Sequence, residues 1–141
     1  MMISTKGRYA LRVMIDLAEH NTGAYVPLKD IAGRQGISQK YLESIMTALS
    51  KAGFVDALHG KGGGYRLNRA PEAYTVGGIL KLTEGTLAPV ACLESGSAPC
   101  DRASCCKTLP VWTKLDRLID DYLEGVTLSD LTASGPIPMT V

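Results

Sequence analysis

Cysteine is absent from this chain except in one short stretch. Four thiols lie within the fifteen residues CLESGSAPCDRASCC, Cys92 to Cys106, and the rest of the 141 residues has none. A set of disulfides spread through the fold is thereby excluded. Histidine is equally scarce: only His20 and His59 occur, neither with partners nearby in its segment, so no Ser/His/Asp set can be drawn. No apolar run approaches the roughly eighteen residues that a membrane span needs. The N-terminal MMISTKGRYALRVM lacks the uninterrupted apolar core of a signal peptide. These absences predict a cytoplasmic protein, and in that reducing compartment a thiol cluster points to a metal or redox site rather than a structural disulfide. Internal repeats and low-complexity tracts are also missing.

With 45% apolar and 21% charged residues, the composition is that of an ordinary globular protein, and the length suits one domain or a small domain with a helical extension. The net charge of +1 conceals an asymmetry. Met1 to Arg69 holds ten Lys/Arg against five acids, whereas Ala70 onward holds five against nine. A basic half joined to an acidic half suggests a polyanion-binding module attached to something else, although a split of this size also arises by chance in a short chain.

Tyr9, Ala10, Val13, Met14, Leu17 and Ala18 recur at three- and four-residue steps and predict an amphipathic helix that ends at Asn21-Thr22-Gly23. LKDIAGRQG predicts a short helix closed by Gly36. In ISQKYLESIMTALSKAG, Ser38 is a natural N-cap and Gly53 a C-terminal breaker, with Tyr41, Leu42, Ile45, Met46 and Leu49 as the buried stripe. Two helices joined by a glycine-containing turn have the layout of a helix-turn-helix. Phe54, Val55 and Leu58, then Tyr65 and Leu67, predict two strands of a hairpin with HGKGGG as the loop. The glycines precede a strand rather than a helix and no GxxxxGK is present, so a nucleotide-binding loop is discounted. The helix pair with its glycine-tipped hairpin predicts a winged helix.

Pro71-Glu72 marks a boundary, and YTVGGILKLTEG predicts one further short helix. Thr86 to Lys107 has no usable period, and a stretch of that length without secondary structure is usually functional or disordered. LPVWTKLDRLIDDYLEG is strongly helical. Its apolar residues Val111, Trp112, Leu115, Leu118, Ile119, Tyr122 and Leu123 cover about half the circumference. That stripe is wide for a helix capping a small domain, which predicts packing partly at home and partly on a second copy. The predicted fold class is mainly α with a small β-hairpin wing: a winged helix-turn-helix over 1–85, a cysteine-bearing sensor loop over 86–107, a long dimerisation helix and short terminal helix over 108–131, and a flexible tail over 132–141.

Taken together, ISTKGRYALRVMIDLA, PLKDIAGRQGISQKYLESIMTALSKAGFV, GKGGGYRL and WTKLDRLIDDYLEGVTLSDL closely resemble the Rrf2 family of bacterial winged-helix regulators, the group of IscR-, NsrR- and CymR-like proteins. The likeness runs from about Met2 to Leu131. It implies a homodimeric transcription factor that binds a double-stranded DNA operator. It also implies an iron-sulfur cluster, of the 2Fe-2S type ahead of 4Fe-4S, on the cysteine loop, responding to iron-sulfur, redox, nitric oxide or cysteine status. By the same resemblance Ser38, Gln39, Lys40, Tyr41 and Glu43 form the base-reading face, and His59, Gly60, Lys61 and Gly62 the wing tip that enters the minor groove. The chemistry agrees: Gln39 can pair with adenine, Lys40 with guanine or phosphate, and Glu43 with a cytosine amino group, while a cation suits a narrow A·T tract. Glu43 as a merely solvated helix face, and His59 as a merely exposed loop residue, are the competing readings.

The thiol spacing is C-x7-C-x5-C through Cys106, or C-x7-C-x4-C through Cys105, and neither matches a structural zinc finger. Five residues separate Cys106 from Trp112, as between the third cysteine and the tryptophan of family members, so Cys92, Cys100 and Cys106 are the implied ligands with Cys105 extra. The fourth ligand does not carry over. The histidine used by IscR-like members falls at Leu109, and the carboxylate that other branches draw from the partner's first helix falls at Arg8. Cys105, Asp101, Glu94, a backbone group or a small molecule remain for that role. The alternatives are a cluster-free thiol switch, zinc, or a regulator acting through a protein partner as CymR-like members do. No enzyme is expected, a thiol oxidoreductase using Arg102 or Lys107 being the residual case.

Overall fold

The computed structural model describes residues 3–94 and 104–132. Helix α1 (Thr5–Glu19) is followed by α2 (Leu28–Gln35), α3 (Gln39–Lys51), strands β1 (Val55–Leu58) and β2 (Gly64–Leu67), and a 3-10 turn at Pro71–Ala73. Then come α4 (Val76–Glu84), a second 3-10 turn at Ala91–Leu93, α5 (Leu109–Glu124) and α6 (Leu128–Thr132). This mostly helical chain with one two-stranded antiparallel sheet is a winged helix, as the sequence predicts. No helix among the described residues is long and apolar enough to cross a membrane.

The helix ends follow local chemistry. Ser4 and Ser38 cap α1 and α3 by accepting from the Gly7 and Tyr41 amides at 3.0 and 3.2 Å. Gly36 closes α2 at φ +66°, a left-handed conformation that turns the chain into α3. The principal core joins Ala10, Val13, Met14 and Leu17 of α1 to Ile31 of α2 and to Leu42, Ile45, Met46 and Leu49 of α3. Tyr41, placed in the buried stripe by its period, is 37% exposed instead. It lies on the first turn of α3, beyond the cover of other helices, with its ring edge-on to Tyr9 at 5.8 Å between centroids.

The wing is held from two sides. Val55 pairs with Leu67 and Leu58 with Gly64, while Val26 exchanges two backbone hydrogen bonds with Tyr65 at 2.8 and 2.9 Å. The hairpin's own backbone and this third strand-like contact each explain one of the three consecutive glycines. A Cβ on Gly63 would lie 2.1 Å from the Leu58 carbonyl oxygen, and one on Gly64 would lie 2.1 Å from that of Val26. Both obstacles are backbone and cannot swing aside. Gly62, at φ +77°, has open space around it. Gly64→Ala should therefore open the Val26–Tyr65 bridge and destabilise the protein by about 2–3 kcal/mol. Gly62→Ala should pay only the left-handed penalty of about 1 kcal/mol. Urea unfolding of the two variants checks the order; equal losses would contradict the close-approach explanation.

The C-terminal part of the chain returns to this body. Val76 donates to the Val126 carbonyl at 2.8 Å and Leu128 to that of Tyr74 at 3.0 Å, and Leu128 is fully buried in the principal core. Tyr74 itself is buried, its hydroxyl donating to the Phe54 carbonyl at 2.7 Å. A second, smaller core gathers Val76, Leu80, Leu87 and Val126, with Ile119 and Leu123 of α5 packed against it. Leu87 thus docks the start of the segment that the sequence leaves without structure. Lys81 of α4 forms ion pairs with Asp120 and Glu124 of α5, and Thr75 donates to Glu124 at 2.9 Å. The opposite face of α5 is bare: Val111, Leu115, Leu118 and Tyr122 are 57, 38, 53 and 55% exposed.

Candidate nucleic-acid interface and cysteine segment

Because Leu42, Ile45, Met46 and Leu49 are buried, the other side of α3 must face outward. Ser38, Gln39, Lys40, Tyr41 and Glu43 are all exposed there, on a helix fixed by its own core stripe. Ser44 and Thr47 extend this face beyond the residues expected from sequence. Their signal is the three- and four-residue step from Lys40 through Glu43 and Ser44 to Thr47. Their hydroxyls donate to the Tyr41 and Glu43 carbonyls at 2.9 and 2.8 Å.

The preceding helix is locked to α1 by a buried carboxylate. Asp16, only 3% exposed, accepts from Arg34 Nε and Nη2 at 3.0 and 2.7 Å and from Gln35 Nε2 at 2.9 Å. Burial alone would raise this carboxyl, but the hydrogen bonds of Arg34 and Gln35, with the charges of Arg34 and His20, outweigh it and hold Asp16 below its ordinary value. Arg12 donates to the Gln35 carbonyl and to Gln35 Oε1, and its guanidinium lies over the Tyr9 ring at 5.1 Å. The end of α2 is thus gripped at Gln35 from two positions on α1, which fixes the turn into α3.

His59, Gly60, Lys61 and Gly62 are exposed at the tip of the wing. Behind them Arg66 sits over the Tyr25 ring at 4.3 Å and donates to the Gly23 carbonyl at 2.9 Å, so its cation serves the wing's anchorage. Burial, and then the negative charge of Glu43, push the Tyr65 phenol up. The Glu43 carboxylate is thus within electrostatic reach of the Tyr65 phenol on β2.

The thiols are placed unevenly. Cys92 is exposed in the 3-10 turn, Cys105 is exposed, and Cys106 is partly covered just ahead of α5. Cys106 Sγ lies 3.4 Å from Thr108 Oγ1. The Thr108 hydroxyl, then the Thr108 and Leu109 amides at the start of α5, lower this thiol and favour its thiolate. Cys100 and Asp101 lie outside the described residues. Among the described residues no three His, Cys, Asp or Glu side chains converge on a point. Leu109 opens α5, and Arg8, exposed on α1, donates to Thr5 at 3.2 Å. As a donor set, Cys92, Cys100 and Cys106 are soft thiolates of the kind that iron-sulfur clusters take.

A family model described as Rrf2, iron-dependent transcriptional regulator, matches residues 3–134. The HTH-type transcriptional regulator IscR of Aliivibrio salmonicida is 36% identical over 137 residues, covering 97% of this chain and 80% of the relative. IscR of Erwinia tasmaniensis is 38% identical over 131 residues, covering 93% and 78%. Among solved structures, CymR, the global cysteine regulator of B. subtilis, superposes with a TM-score of 0.77 at 35% identity over 96% of this chain and 99% of that one. IscR of T. potens gives 0.73 at 34% identity over 100% and 93%. With sequence and fold in agreement along nearly its whole length, the chain belongs to the Rrf2 family.

Proposed function

We propose that the chain is a DNA-binding transcriptional regulator of the cytoplasm that grips a twofold operator as a homodimer. Its affinity is tuned by an iron-sulfur cluster on the cysteine segment. The observation that carries the reading is the exposed polar face of α3, Gln39 to Thr47, set on a locked helix pair and followed by an exposed wing tip. The first turn of a recognition helix enters the major groove. Ser38 and Lys40 would hold register on phosphate, Gln39 and Glu43 would read base edges, and His59 to Gly62 would approach the minor groove. Dimerisation through α5 would place two recognition helices about one DNA turn, or a multiple, apart.

Cys92, Cys100 and Cys106 would hold the cluster, with Cys105 beside them. When bound, such a group supplies redox- and iron-responsive chemistry. The protein's part is mechanical. Leu87 docks one end of the segment on the small core, and Cys106 ties the other end to the first turn of α5. Order in the segment thereby sets the position of the dimer helix. The effect on operator affinity equals the difference in DNA affinity between the ordered and relaxed states. A cluster-free thiol switch is the second reading, favoured by the thiolate character of Cys106 next to Cys105.

Selection from a random duplex library tests the first part. Enriched sites should be inverted repeats, and log affinity should fall linearly with log salt at about −0.9 per phosphate neutralised. Gln39→Ala should relax one base position, whereas Lys61→Ala should weaken all sites alike. Absence of enrichment, or binding indifferent to salt, would refute DNA reading. Anaerobic purification with visible spectra and iron and sulfide analysis tests the second part. A colourless, iron-free product, with operator affinity unchanged in the triple Cys92, Cys100, Cys106→Ala variant, would remove the cluster from the account.

A further inference from the structure

Between the C-terminal end of α4, the segment 86–93 and the middle of α5 lies an open cavity of about 480 Å³, within the range of small-molecule sites. Leu87, Leu93 and Ile119 supply its apolar surface, and Lys81, Asp116, Arg117 and Asp120 its charges. Two of those charges are already committed, since Lys81 is paired with Asp120 and with Glu124. The other two are not: neither Asp116 nor Arg117 makes a hydrogen bond or ion pair with any described residue, although Asp116 is partly buried. One wall of the cavity therefore presents one carboxylate and one guanidinium that no described side chain neutralises, adjacent on α5.

This charge pattern selects among ligand classes. A polyanion would meet Asp116 and Asp120, and a simple cation would meet Arg117 and Lys81. A molecule with one charge of each sign meets neither conflict. The C-terminal end of α4 at Gly85 also lines the cavity, and its carbonyl end favours a positive group. We propose that this cavity is an effector site for a small zwitterion of the α-amino-acid class. Its carboxylate sits on Arg117, its ammonium group on Asp116, and its side chain on Leu87, Leu93 and Ile119. Its regulatory meaning rests on the function proposed above, because the three walls are the DNA-binding body, the cysteine-bearing segment and the dimer helix. A ligand spanning them changes operator affinity by as much as it prefers one placement of α5 over another.

The full-length protein is titrated calorimetrically, without DNA, with the proteinogenic amino acids one at a time. At least one should bind saturably. Its N-acetyl and methyl-ester derivatives, each lacking one charge, should bind at least about tenfold more weakly. Arg117→Gln and Asp116→Asn should each weaken it by about ten- to a hundredfold, with circular dichroism unchanged. The proposal is overturned if no amino acid binds, if the derivatives bind as well as the parent, or if both variants keep wild-type affinity. Since no DNA is present, failure of operator binding would leave these outcomes intact.

Discussion

For the proposed homodimer, Leu118→Asp is expected to give a monomer and to lower operator affinity by about a thousandfold. Leu118 lies at the centre of the row Val111, Leu115, Leu118 and Tyr122, spaced four, three and four residues apart on one face of α5, and each member is more than a third exposed. Pro110 and Lys114 flank the same groove. A carboxylate there must be desolvated if a second helix packs against it, a cost that a surface pair with Lys114, four residues earlier, offsets by less than about 1 kcal/mol. A monomer engages one half-site at a time and forfeits the gain from linked binding, which is about a hundred- to ten-thousandfold. Sedimentation at micromolar protein and operator titration at fixed salt measure the two effects. Thr113→Asp, an exposed change off the apolar row, serves as the control and should alter neither. A Leu118→Asp protein that remains dimeric would remove this face from the interface.

Arg34→Ala should destabilise the fold by about 3 kcal/mol. It strands the Asp16 carboxylate, 3% exposed, with Gln35 and His20 as its remaining side-chain partners. The figure is at the low end for a broken buried pair because the Arg34 side chain is itself 36% exposed. The pH dependence follows from the same group. Asp16 is held below its ordinary value in the folded state. Its contribution is therefore complete above the unfolded carboxyl value of about 3.9 and is lost as pH falls through the lower folded value. Thermal melts from neutral pH to pH 2 should show wild type and Asp16→Asn far apart at neutrality and converging in acid. A gap that stays constant across that window would show that the carboxylate's charge contributes nothing.

Much of the fold was legible because local signals agreed with one another. Ser38 at a cap, Gly36 at a left-handed turn and the stripe Leu42, Ile45, Met46, Leu49 each pointed to the same helix pair. Tyr41 misled, since its period matched the stripe while its position on the first turn left it outside the core. The Asp16–Arg34 lock had no signature, as eighteen residues separate two charges that look like ordinary surface groups. The glycine run was legible as a wing but not in its detail. Gly63 and Gly64 are required by the approach of the protein's own backbone at Leu58 and Val26, and only coordinates place those carbonyls. At the candidate site, the exposed residues of α3 could be named from sequence as a helix start. The placement of Asp116 and Arg117 over a cavity could not, because its far wall comes from Leu87 and Leu93, more than twenty residues away.

Helix α5 is attached unevenly. The ion pairs and core contacts that bind it to the body fall between Ile119 and Glu124, whereas Cys106 stands at its other end. With 16 residues, α5 measures about 24 Å at 1.5 Å per residue. Attachment at one end gives it the geometry of a lever with its fulcrum near Glu124. A tilt of about five degrees there carries the cysteine end through about 2 Å, so displacements on the scale of a single bond length at the sulfur atoms translate into rotations small enough for the core at Ile119 and Leu123 to absorb.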